Sequence, residues 1–138
     1  MIYAVLDTNV LVSALMSKSA ESTISKLLFA VIDQKIIPLY HSEILAEYEE
    51  VLSREKFGFL PDVCSALINR LISCGINSER VPFDSIMPDE DDRVFYEVAL
   101  SHEDAFLVTG NIKHYPVTPI VVTPAEMLEI IAERERSL

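Results

Sequence analysis

The chain has 138 residues, enough for one domain that buries about two-thirds or more of its unfolded surface on folding. Half of the residues are hydrophobic and only three are glycine, which excludes collagen-like, linker-like and disordered classes. A net charge of −11 excludes an extended basic surface, so any contact with nucleic acid must be local or assisted by metal.

Ile2 to Leu6 is a short, wholly apolar run, as expected of a strand buried on both faces in a parallel sheet. Val10, Leu11, Ala14 and Leu15 then fall at helical spacing, and a second helical stretch from about Ser22 carries Ile24, Leu27, Leu28, Val31 and Ile32. Ile36 to Tyr40 reads as the next strand. Ser42 is placed to cap a helix to about Leu52 whose apolar stripe is Ile44, Leu45, Tyr48, Val51 and Leu52. After a break at Phe57-Gly58-Phe59, Pro61 opens a helix burying Val63, Leu67, Ile68, Leu71 and Ile72, which Gly75 ends. A weak strand is expected around Val81, then a helix opened by Pro88 and the acids after it, with Val94, Phe95, Val98 and Ala99 inward. Ala105 to Thr109 is a strongly apolar strand followed by the turn Gly110-Asn111. Ile120 to Val122 makes a last strand, and Thr123-Pro124-Ala125-Glu126 is a capping box opening a C-terminal helix.

No repeat, linker or low-complexity segment interrupts the pattern, so residues 1–138 read as a single domain. Cys64 and Cys74 lie among apolar residues and read as ordinary buried thiols. The first residues lack the basic region and cleavage site of a signal peptide, and no apolar run approaches membrane-spanning length; the expectation is a cytoplasmic protein with no membrane contact. Strands alternating with helices predict a three-layer α/β/α fold on a mostly parallel sheet of four to five strands, with ligands gathering beyond the carboxyl ends of the strands.

Asp7 follows five apolar residues, where a buried charge is costly without a cation or several donors; the alternative is a helix N-cap. On the helix from Ser42, Glu47 and Glu49 fall at the two borders of the apolar stripe, and either could reach the sheet edge or be a solvated helix acid. In Asp89-Glu90-Asp91-Asp92, helical spacing to Phe95, Val98 and Ala99 turns both Asp91 and Asp92 inward, unless these acids merely complement the helix dipole. Carboxylates converging without a base between them repel one another, and a hard divalent cation relieves that repulsion. Such an ion can activate water, orient a phosphate and offset developing charge. Lys113 and His114 are candidates for phosphate contact at the rim of this edge, and His41 at the end of the second strand is either at the edge or a hydrogen-bonded structural histidine.

Val5-Leu6-Asp7-Thr8-Asn9, Glu47 within Glu43-Ile44-Leu45-Ala46-Glu47-Tyr48, Asp92 ahead of Phe95 and Ala99, and Leu107-Val108-Thr109-Gly110-Asn111 together resemble the PIN domain along essentially the whole chain. Among PIN domains the chain most resembles the toxin components of bacterial and archaeal toxin–antitoxin systems. The resemblance implies a Mg²⁺- or Mn²⁺-dependent ribonuclease, usually a homodimer, with an RNA substrate and a small antitoxin protein as partner. It maps the metal-holding, catalytic acids onto Asp7, Glu47 and Asp92, and it implies that Asn9 and Thr109 order the site. At the remaining catalytic position the family commonly has aspartate, whereas this chain has Asn111. The amide can still ligate through its carbonyl but carries no charge and cannot act as a base, which leaves a second metal position open and makes neighbouring Asp91 a secondary ligand candidate.

Two other classes stay in view. One is a PIN-like binding or assembly module whose metal site Asn111 has weakened. The other is a phosphatase acting through an aspartyl-phosphate, which also uses an aspartate after a first buried strand; here Asn9 stands where an Asp-x-Asp arrangement needs its second aspartate.

Overall fold

Five short runs pair as one parallel sheet in the order β3-β2-β1-β4-β5, formed by β1 (Ile2–Leu6), β2 (Ile36–Tyr40), β3 (Ile76–Asn77), β4 (Phe106–Val108) and β5 (Val121–Val122). The structure is a computed structural model that describes residues 1–137. Helices α1 (Thr8–Met16), α2 (Thr23–Ile32), α3 (Ser42–Leu52), α4 (Pro61–Cys74), α5 (Arg93–Ala99) and α6 (Pro124–Arg136) complete the three-layer α/β/α arrangement. The central strand is β1, and Ala4, Val5, Leu6, Ile36, Leu39, Leu107 and Val108 form the buried spine on which Val98 and Phe95 of α5 and Ile44 of α3 pack. Burying aliphatic side chains of this size stabilises the fold by about 1.5–3 kcal/mol each.

Chain order decides where a site can form. From β1 the chain moves outward to β2 and β3, then returns to the far side of β1 for β4 and β5. The direction of winding therefore switches between β1 and β4, and a crevice opens beyond their carboxyl ends. Leu6 pairs with Val108, so Asp7 and Thr109 leave the sheet side by side.

Local chemistry sets the element ends. Thr123 Oγ1 accepts from Glu126 N at 3.2 Å while Glu126 Oε1 accepts from Thr123 N at 2.9 Å, the expected capping box. The cap of α3 is His41 rather than Ser42: His41 Nδ1 accepts from Glu43 N at 3.1 Å, and Ser42 becomes the first helical residue. Gly75 follows α4 with an extended rather than left-handed backbone, and the reason for glycine is space. A Cβ there would meet Pro38 O at 2.4 Å and Leu71 O at 2.6 Å, both backbone atoms that cannot give way. Gly75→Ala is expected to lower stability by about 2 kcal/mol or more, read as an earlier urea midpoint at unchanged slope.

The strand expected around Val81 is absent, and the outermost pairing occurs earlier, at Ile76–Asn77 beside Leu39 and Tyr40. A stronger partner takes the later segment. Val81 N donates to Glu97 O at 3.0 Å, and the buried Glu97 carboxylate accepts from Arg80 Nε at 2.7 Å and Phe83 N at 3.0 Å. Burial opposes the charge on Glu97, but the Phe83 amide and Arg80 outweigh it and hold its pKa below the usual value. Arg93 fixes the next stretch by donating to the carbonyls of Phe83 and Ser85. The segment before Asp89 thus follows α5 instead of the sheet. Cys64 is buried, as expected, whereas Cys74 is only half-buried at the end of α4; both are free thiols. Among the described residues no helix is long and apolar enough to cross a membrane.

Candidate metal and phosphate site

Asp7 occupies the N-cap position of α1, yet its side chain makes no cap hydrogen bond. Its carboxylate is buried and points elsewhere: Oδ2 accepts from Thr109 Oγ1 at 2.8 Å and from Tyr115 Oη at 2.9 Å. Burial first, and then the Asp7 charge, push the Tyr115 phenol upward, so it stays a proton donor. Both donors fall on Oδ2, which leaves Oδ1 as the oxygen available to a cation.

Thr109 is the hub of this edge. Its hydroxyl oxygen accepts from Asn111 N at 2.9 Å and from Asn9 Nδ2 at 3.5 Å while donating to Asp7. Asn9 Oδ1 accepts in turn from Gly110 N at 3.1 Å, so the β1 and β4 termini are laced together.

Glu47 reaches the same edge from α3. The next residue, Tyr48, is buried and donates its hydroxyl to the carbonyl of Leu6, which presses this turn of the helix onto the end of β1. Glu47 then accepts from the Thr8 hydroxyl, whereas Glu49 lies exposed on the other border of the stripe. Asp92 arrives from the opposite side, at the junction of a 3₁₀ turn (Glu90–Asp92) with α5. Asp89 caps that turn by accepting from Asp91 N at 3.1 Å. Asp7, Glu47, Asp92, Asp91 and Asn111 border one open cleft of about 410 Å³.

A model of the PIN domain family matches residues 3–113. The chain belongs to the PIN domain family. This PIN domain carries Asp7, Glu47, Asp92 and Asn111 within the matched span, which stops just short of His114 and Tyr115. Neither a curated protein nor a solved structure matches the chain closely enough to stand as a relative.

The carboxylates lining the cleft of the PIN domain are only partly compensated. Burial and then the Asp7 charge raise the Asp92 pKa to about 6; the contact from His114 pulls it down in part. Burial also raises Glu47, and although the Thr8 hydroxyl opposes the shift, Asp7 and Asp91 add to it. The arginine bordering the cleft, Arg54, is engaged by Glu50 through Nε–Oε1 at 3.1 Å and Nη2–Oε2 at 2.8 Å. Asp7 thus repels both Asp92 and Glu47 along the cleft, a repulsion that a hard divalent cation would relieve.

Asp91 and Asp92 part company: both line the cleft, but Asp92 is half-buried and Asp91 exposed, because the turn before α5 is 3₁₀ and shifts its angular position. His114 lines the cleft with its side chain half-exposed. Its Nδ1 lies 3.0 Å from Asp92 Oδ2 and 3.6 Å from Asp89 Oδ2, and among the described residues these three bring ligand atoms within 4.8 Å of one another, a grouping that could hold a metal ion and that does not include Asp7 or Glu47. Lys113 is exposed. Tyr115, Thr8 and Asp89 escape sequence reasoning, since each gains its role from a partner remote in the chain or from a turn with no periodic signature.

Proposed function

We propose that this PIN domain is a divalent-metal-dependent endoribonuclease and serves as the toxin of a toxin–antitoxin pair. The observation that carries the reading is the buried Asp7 carboxylate, which ignores the helix end beside it and sits with Glu47 and Asp92 in a cleft short of positive charge.

Asp7, Glu47 and Asp92 would hold Mg²⁺ or Mn²⁺, with Asp91 beside Asp92 and Asn111 contributing its carbonyl oxygen. When bound, the ion supplies water acidification, phosphate orientation and charge neutralisation. The residues of the chain do the rest. Thr109 and Tyr115 fix the Asp7 carboxylate so that one oxygen faces the cleft, and Thr8 does the same for Glu47. Asn9 and the Gly110 amide lock the loop that carries Asn111. These contacts prepay the ordering of the site before a strand arrives.

An acidic cleft of this kind is blocked most simply by a small partner presenting arginine or lysine to the carboxylates, and the active form is expected to be a homodimer. The testing experiment is cleavage of total and synthetic RNA in Mg²⁺ or Mn²⁺ against EDTA. Cleavage that requires the ion supports the reading. Saturable RNA binding with no cleavage in either ion would instead favour the binding-module reading that Asn111 raises.

A further inference from the structure

We infer that Phe57 is the base-stacking platform of the cleft, seating one unpaired base of the RNA beside the phosphate that the carboxylates address; the inference rests on the ribonuclease reading. Phe57 is half-buried and borders the same cleft as Asp7, Glu47 and Asp92, yet it stands outside the hydrophobic core that the neighbouring Phe59 joins. Gly58, between them, adopts a left-handed backbone at φ 65°, which turns the chain so that the two rings stack. Their centroids lie 5.3 Å apart with 9° between the planes. Phe59 packs against the core and backs one face of Phe57, whose remaining cover is the exposed Lys56 side chain.

The charge around the ring selects the occupant. In a chain of net charge −11, Phe57 has Lys56 Nζ 5.1 Å from its centroid, and Arg54 borders the cleft beside it. A nucleotide fits both features: its base offers a π face to the ring, and its phosphate meets the exposed lysine, which can swing aside as the base enters. Aromatic stacking accepts any base, so the platform sets position along the strand and supplies affinity that an acidic surface otherwise lacks.

The test uses the whole protein with Mn²⁺ and a short single-stranded RNA that carries 2-aminopurine at successive positions, with quenching read by stopped flow before a turnover is complete. Phe57→Leu is expected to weaken binding about tenfold and to abolish the fluorescence quenching seen at one position, while Phe57→Tyr keeps both. On the same RNA, Phe57→Leu should raise KM with kcat held within about twofold. Unchanged affinity and quenching in Phe57→Leu, with wild-type cleavage intact, would overturn the stacking role alone, as would equal loss in Phe57→Tyr. Absence of RNA binding and cleavage by the wild type would overturn this inference together with the ribonuclease reading. Circular dichroism and Tm of both variants separate either result from misfolding.

Discussion

Asp7→Asn is expected to reduce RNA cleavage about a thousandfold or more while leaving the fold in place. The asparagine carbonyl can still accept from Thr109 Oγ1 and Tyr115 Oη, so the hydrogen bonds that lace β1 to β4 are retained. What disappears is the charge. The Asp7 charge presses on both Asp92 and Glu47, so its removal also relieves repulsion in the metal-free protein. A loss of cleavage without a loss of Tm is therefore the signature of a chemical role. Equal cleavage by purified Asp7→Asn, with contaminating nuclease excluded, would remove Asp7 from the reaction.

The metal-free protein should become more stable as pH falls from about 7.5 to about 5, and a divalent ion should abolish or reverse that trend. The sign follows from the direction of the shifts. Asp92 titrates at about 6 in the folded chain against an ordinary 3.8, so the native state takes up its proton first. Its charge costs stability at every pH above about 6, and the cost fades as pH falls toward the ordinary value. Glu47 shifts the same way. After allowance for solvent screening, Asp92 accounts for about 1–2 kcal/mol, a change of several degrees in Tm for a chain of this size. Glu97 shifts oppositely and loses stabilisation only when pH falls below the ordinary carboxylate range, which sets the acid limit of the trend. Saturating Mn²⁺, at about a hundred times its Kd, adds about 2.7 kcal/mol at neutral pH. Thermal melts across pH in EDTA and in Mn²⁺ read both effects. Asp92→Asn should melt higher than wild type in EDTA and lose the gain from Mn²⁺; a metal-free Tm that falls steadily from neutral pH to pH 5 would contradict the account.

Much of this architecture is legible in the chain because it is local. The apolar run Ile2–Leu6 and the capping box at Thr123 announce a buried strand and a helix start through side-chain chemistry within a few residues. The chain order of strands and helices predicts a parallel sheet, and a parallel sheet predicts an edge on which Asp7 and Thr109 meet. What stays hidden depends on contacts far apart in sequence. Glu47 and Glu49 are equivalent by helical angle, and it takes the family resemblance, or the folded contacts of Tyr48 with Leu6 and of Thr8 with Glu47, to tell them apart. Tyr115 sits 108 residues from the carboxylate it supports, and no spacing rule reaches so far. The apparent strand at Val81 fails because β propensity there competes with a buried carboxylate on α5. His114 reads as a phosphate-contact candidate, and its place against Asp92 and Asp89 follows only from the Ile112–His114 turn.

Whether Asp7, Glu47 and Asp92 share one divalent ion is decided by titration calorimetry of the EDTA-stripped protein with Mn²⁺. Saturable binding to the wild type is expected, lost or strongly weakened in folded Asp7→Asn and Asp92→Asn. No binding to the wild type at millimolar Mn²⁺, or undiminished binding to Asp7→Asn, would contradict a shared ion.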